Sequence, residues 1–204
     1  FHVREGERLA FIGPNGAGKS TTIKMLVGIL HPSDGEAKVL GRVPWRQRQA
    51  LAYHIGAAFG QKSQLWYHLP AADSFDLLAK IYELETRAYK ERLAFLVDLF
   101  EIQPYLHVPV RKLSLGQRMR CEIAASLLHR PAILFLDEPT IGLDVVVKQR
   151  IRDLILQLNQ QEGVTIFLTS HDAGDVEILC RRAMVINHGE LIYDGAVNTL
   201  KHTY

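Results

Sequence analysis

Gly13-Pro14-Asn15-Gly16-Ala17-Gly18-Lys19-Ser20 is the stretch from which the rest of the chain is read. It fits G-x-x-x-x-G-K-[ST]. Before it, Arg8 to Ile12 (RLAFI) has the composition of a short buried strand. After it, Ser20 to Leu30 predicts a helix with Ile23, Leu26, Val27 and Leu30 on one face. A strand, a glycine-rich turn and a helix are the setting in which this pattern cradles phosphate. Glycines let the backbone curl until several N–H groups point at one anion, and the helix start adds partial positive charge. Lys19 can reach the β- and γ-phosphates, and the Ser20 hydroxyl can ligate Mg²⁺. The candidate nucleotide-binding residues are Gly13, Pro14, Asn15, Gly16, Ala17, Gly18, Lys19, Ser20 and Thr21. This loop alone does not choose among kinase, GTPase, motor and transporter.

Ile133-Leu-Phe-Leu-Asp137-Glu138 narrows the choice. An apolar strand that ends in two acids puts Asp137 at the C-terminal edge of a parallel sheet, where ligands bind. Asp137 is a candidate to hold Mg²⁺. Glu138, one residue on, can polarise an attacking water as a general base. In isolation the pair could be a solvated turn, but after a phosphate loop it points to an ATPase.

Elsewhere strands and helices alternate. His31-Pro32-Ser33-Asp34-Gly35 is a turn cluster. Ala37–Leu40 and Tyr53–Ala57 read as short strands, with a possible helix from Trp45 to Leu51. From Ala71 to Leu128 the pattern turns helical, with one stripe of Phe75, Leu78, Ile81 and Tyr82 and another of Leu93, Leu96, Val97 and Phe100. A third helix is expected to start near Ser114. Beyond Ile133–Asp137 come a helix over Val145–Glu162, a strand over Val164–Thr169 and a helix over Ala173–Cys180. A hairpin through His188-Gly189 follows. The alternation predicts an α/β fold with a mostly parallel sheet flanked by helices.

Four further features order themselves around these two. Leu113-Ser114-Leu115-Gly116-Gln117-Arg118 opens an amphipathic helix. Gln61 follows the Tyr53–Ala58 stretch, and Asp144 ends Ile141-Gly-Leu-Asp. His171 follows the Val164–Thr169 strand. Together, and in this order, these motifs resemble those of an ABC ATPase, and within that family the transporter subunits. Thr140-Ile-Gly-Leu-Asp144 and Gly60-Gln-Lys-Ser-Gln-Leu65 look most like the ATPases of drug- and polysaccharide-exporter systems.

The resemblance implies a RecA-like P-loop NTPase core over 1–65 and 130–204, an inserted helical subdomain over 66–129 and a partial antiparallel β subdomain. It implies ATP and Mg²⁺ as ligands. Two copies would stack head to tail, as homo- or heterodimer, with ATP sandwiched between the loop of one and Ser114, Leu115, Gly116 and Gln117 of the other. Gln61 would contact Mg²⁺ and the attacking water, Asp144 would cross the dimer seam, and His171 would contact the γ-phosphate and steady Glu138. Each has a plainer reading. Gln61 is a loop amide, Ser114 and Asp144 are helix N-caps, and His171 ends a strand. Trp66, Tyr67, Leu69 and Pro70 are either subdomain core or an anchor for an integral-membrane transporter subunit.

Two departures from the family stand out. The signature has Leu115 where glycine is usual. Phe1 to Glu7 enters directly on the strand before the phosphate loop, so the chain is expected to lack an N-terminal segment, and no residue is assigned to adenine stacking.

Bulk properties agree with a globular domain. Of 204 residues, 48% are hydrophobic and 23% charged. A net charge of +2 does not suggest nucleic-acid binding. No apolar run approaches the roughly 18 residues of a membrane span. The resemblance implies a location at the cytoplasmic face of the cell membrane, held there by the partner. Cys121 and Cys180 are far apart and read as buried thiols. The competing function is a soluble ABC ATPase of translation or DNA repair. A metabolic kinase or GTPase leaves the LSLGQ stretch unexplained, and no N-K-x-D is present.

Overall fold

The computed structural model describes residues 1–60 and 63–203. In chain order, β1 (Arg8–Ile12) leads through the glycine loop into α1 (Lys19–Leu26), then α2 (Arg48–Ala52) and β2 (Ile55–Phe59). Three helices follow: α3 (Ala71–Ile81), α4 (Thr86–Leu99) and α5 (Leu115–Ser126). The chain returns through β3 (Ile133–Asp137), α6 (Val145–Glu162), β4 (Thr165–Thr169) and α7 (Ala173–Leu179). It ends with β5 (Arg182–Asn187), β6 (Glu190–Ala196) and α8 (Val197–Thr203).

The strands form one six-stranded sheet in the order β2-β3-β4-β1-β5-β6. Its first five strands are parallel, and β6 pairs antiparallel to β5 at the edge. The antiparallel component is thus a hairpin added to the main sheet. Side chains alternate across the sheet. Phe11, Phe135, Phe167 and Met184 pack on the face that carries α1 and α2. Ala10, Leu134, Leu136, Ile166, Leu168 and Ala183 pack on the other, with α5, α6 and α7. Both faces are buried, which explains why ILFL of β3 and IFL of β4 are continuously apolar rather than alternating.

Register places the chemistry. Asp137 pairs with Phe59 on one side and Thr169 on the other. Phe11 pairs with that same Thr169. The ends of β1, β3 and β4 therefore lie side by side beneath the glycine loop.

The three middle helices continue the second core. Phe75, Leu96, Phe100, Ile102 and Ile123 are fully buried. Arg92, 1% exposed, ties this region down. Its Nε donates to the Leu127 carbonyl at 3.0 Å and its guanidinium pairs with Glu162 at the end of α6. The Glu85 carboxylate caps α4 by accepting from Arg87 and Ala88 N–H groups.

Several local expectations differ. The strand expected over Tyr53–Ala57 runs Ile55–Phe59, and the helix expected from Trp45 to Leu51 runs Arg48–Ala52. Two further differences have a plain cause. The helix predicted to run to Leu30 stops at Leu26, because Gly28 turns left-handed at φ 77° and its bare α-carbon packs against the Pro44 carbonyl. Leu30 is consequently exposed. Ala37–Leu40 forms only a single bridge, Val39 to Arg42. Leu40 and Gly41 both have positive φ and reverse the chain at once.

Candidate nucleotide site

Gly13 leaves β1 against β5: a Cβ there would lie 2.1 Å from the Ile186 carbonyl oxygen, so only glycine passes. Gly18, at φ 111°, is the N-cap of α1 and has no side chain with which to cap it. The first turn of the helix is thus available to an anion. Lys19 is 6% exposed. Its Nζ donates to the carbonyls of Gly13 at 2.8 Å and Pro14 at 3.2 Å, folding back over the loop, and lies 4.0 Å from Glu138 Oε1.

Asp137 Oδ1 accepts from two hydroxyls, Ser20 Oγ at 3.0 Å and Thr169 Oγ1 at 2.6 Å. The first ties α1 to β3, and the second ties β3 to β4. Glu138 adopts φ 55°, a left-handed conformation costly for a side-chain-bearing residue. Its N–H holds the turn by donating to the Thr169 carbonyl at 3.0 Å. Gly60 lets the Glu138 carbonyl approach to within 2.4 Å of where a Cβ would be. His171 Nδ1 meets Glu138 Oε2, which leaves Oε1 on the side of Lys19.

These groups border a cavity of about 730 Å³. Gly13, Pro14, Asn15, Gly16, Gly18, Lys19, Ser20 and Thr21 line it, as do Asp137, Glu138 and His171. Ala17 does not; it is buried in the core beside Phe11 and Ile23. Gln61 lies outside the described residues. Lys24, Phe59 and Ile141 also line the cavity and were not anticipated. Lys24 sits one helical turn beyond Ser20, a spacing that could have flagged it. Thr169 was likewise missed as a hydrogen-bond donor, since only the strand register reveals that it faces Asp137.

The remaining candidates gather on another surface. Ser114 caps α5 in a reciprocal box, with Ser114 Oγ accepting from Gln117 N–H at 3.2 Å and Gln117 Oε1 from Ser114 N–H at 2.9 Å. Asp144 caps α6 by accepting from Val147 N–H at 2.9 Å. The two helix starts touch: a Cβ on Gly116 would be 2.4 Å from Val147 Cγ1, and Leu115 packs near Gly142. None of Ser114, Leu115, Gly116, Gln117 or Asp144 lines the cavity. Beside them Val145 and Val146 are each 79% exposed.

The oxygen donors fit a hard divalent cation bound with a nucleotide. Ser20 Oγ and Asp137 supply protein oxygens, and Mg²⁺ ordinarily takes one or two carboxylates plus phosphates and water. Among the described residues no group of three His, Cys, Asp or Glu side chains could hold a metal alone. No described helix is long and apolar enough to cross a membrane.

Residues 1–141 match a family described as ABC transporter. An uncharacterized ABC transporter ATP-binding protein of Bacillus subtilis, YhcH, is 35% identical over 94% of this chain and 62% of its own length. The probable multidrug ABC transporter ATP-binding protein YbhF of Escherichia coli is 36% identical over 98% of this chain. The chain spans only 34% of YbhF. Among solved structures, cbiO1 of Clostridium perfringens, part of the ABC transporter complex cbiONQ, superposes with a TM-score of 0.89 and 28% identity, covering 100% of this chain and 82% of that one.

Proposed function

The chain belongs to the ABC transporter family, and on that premise we propose that it binds ATP with Mg²⁺ and hydrolyses it to drive translocation by an exporter. One observation carries the reading. The Asp137–Ser20 oxygen pair, the Glu138–His171 pair and the buried Lys19 ammonium, 4.0 Å from Glu138 Oε1, all line one cavity.

Lys19 would exchange its two loop carbonyls for phosphate oxygens, and the uncapped start of α1 would add N–H donors. Ser20 Oγ and Asp137 would hold Mg²⁺, which when bound supplies positive charge to the phosphate oxygens. Glu138 Oε1 would accept the proton of the attacking water. His171, engaged with Oε2, would keep that carboxylate aimed. Gln61 is assigned the water- and Mg²⁺-sensing role by family resemblance alone.

We assign Ser114, Leu115, Gly116, Gln117 and Asp144 to the ATP of a second copy or a close relative. Their separation from the cavity of their own chain supports this, as does the exposure of Val145 and Val146 beside them. Trp66, Tyr67 and Leu69 are 39%, 54% and 43% exposed, so they form surface rather than core. We assign them to an integral-membrane partner, which would hold the chain at the cytoplasmic face of the cell membrane. The export direction is supported by the multidrug relative YbhF. No nucleic-acid partner is proposed.

The test is phosphate release from MgATP by the chain beside its membrane partner, together with sedimentation of the nucleotide-loaded chain. Release with ATP-dependent dimerisation is expected. A strictly monomeric chain that releases no phosphate defeats the reading.

A further inference from the structure

We propose that Asp175 is a positioning residue for the Glu138–His171 pair, joining the two loops that carry these side chains through one carboxylate. The proposal rests on the reading of Glu138 as general base.

Asp175 lies in the first turn of α7 and is 0% exposed. Its Oδ2 accepts from both the Thr140 hydroxyl and the Ser170 hydroxyl, the latter at 2.7 Å. Thr140 is two residues after Glu138, and Ser170 is the residue before His171. A single oxygen atom therefore fixes the loop after β3 against the loop after β4. Ser170 Oγ in turn accepts from Asp172 N–H at 3.0 Å, closing a small turn around His171.

The carboxylate is itself aimed. Its Oδ1 accepts from Arg152 Nε at 2.7 Å, and Arg152 also donates to Asp172 Oδ1 at 3.2 Å. Arg152 is a buried residue of α6 and Gly174 leaves room for its guanidinium, 3.0 Å from where a Cβ would stand. Thr140, Ser170, Arg152 and Asp175 are all buried, so water cannot substitute for a lost partner without entering the core. The Glu138–His171 contact, by contrast, has a half-exposed imidazole and no such enclosure of its own. Its geometry is inherited from the buried junction beneath it.

Thr140→Val is the informative variant, because it deletes one hydroxyl at constant shape and leaves the Asp175–Arg152 pair intact. Asp175→Asn is the companion. Three quantities are measured: kcat for MgATP, nucleotide affinity, and the His171 ring resonance in nucleotide-free protein, identified by its disappearance in His171→Ala. The expected result for Thr140→Val is a kcat lower by roughly 10- to 100-fold, affinity within about twofold of wild type, and a displaced His171 resonance. Wild-type kcat, an unmoved resonance, or affinity lost in step with kcat each overturns the positioning role. Should Asp175→Asn fail to fold, Thr140→Val decides alone. Glu138→Gln measured alongside separates the two readings. Wild-type turnover there sinks the base assignment, whereas an inactive Glu138→Gln beside an unaffected Thr140→Val sinks only the role of Asp175.

Discussion

Lys19 Nζ stands 4.0 Å from Glu138 Oε1, with the ammonium buried and its hydrogen bonds spent on the carbonyls of Gly13 and Pro14. A cation so enclosed, hydrogen-bonded to the carbonyls of its own loop, can trade those acceptors for phosphate oxygens without moving its backbone. Lys19→Ala removes that charge and leaves the loop otherwise intact. Nucleotide binding should weaken by about 3 kcal/mol or more, at least roughly 100-fold, while the melting temperature changes little. Calorimetric titration with MgATP checks this, and wild-type affinity would undo the assignment of the loop.

Glu138→Gln separates binding from turnover. The amide keeps the shape and can still meet His171, but it has no basicity to take a proton from water. Affinity for MgATP should persist and kcat should fall by roughly 10²–10⁴. With the phosphate contacts intact and the exit through hydrolysis blocked, an ATP-bound dimer should accumulate on a sizing column. A Gln variant that turns over at the wild-type rate contradicts the base role.

How much of this was legible beforehand depends on the range of the signal. Ile133–Asp137 and Val145–Glu162 have the ends predicted for them, since each carries its own punctuation. The strand stops at an acid, and the helix runs from an Asp144 cap to Gly163 in the left-handed region at φ 66°. The phosphate loop is equally local. What escaped depends on partners distant in sequence. No local pattern says that Thr169 faces Asp137; the β3–β4 register does. Ala17 matches the motif as well as its neighbours do, yet its side chain turns into the core. The junction of Thr140, Ser170 and Asp175 joins residues that only the packing of α7 brings together.

Gly116 is read as a contact to a partner's ATP, but its own fold gives it a second constraint. A Cβ there would stand 2.4 Å from Val147 Cγ1, a branched side chain with little freedom to retreat. Gly116→Ala should therefore destabilise the chain by about 1–3 kcal/mol through overpacking between α5 and α6. Val147→Ala in the same molecule removes the obstructing methyls and should recover most of the loss. The double variant would then be more stable than the sum of the singles by about 1 kcal/mol or more. Denaturant midpoints of the four proteins measure the coupling, and strict additivity would refute the steric account.

His129 makes stability depend on pH. Its ring stacks on Tyr82 with centroids 4.0 Å apart and planes 6° from parallel. The ring Nε2 lies 2.8 Å from the Ile55 carbonyl, an acceptor, so Nε2 carries the proton and Nδ1 is a bare lone pair with no partner. Burial, aided by the positive charges of Arg92 and His54, holds its pKa below the ordinary 6.5, against the pull of the Ile55 carbonyl. Between the folded value and 6.5 the unfolded chain binds the proton more readily than the folded one. This contribution to stability is therefore complete above 6.5 and is lost as pH falls through the folded pKa. His129→Phe keeps a ring against Tyr82 and removes the titration. It should cost some stability at neutral pH, because the Ile55 carbonyl loses its donor, and yet flatten the fall in unfolding free energy between about pH 7.5 and 5.5. Denaturant unfolding across that range compares the two slopes, and identical slopes would show that His129 titrates alike in the folded and unfolded chains.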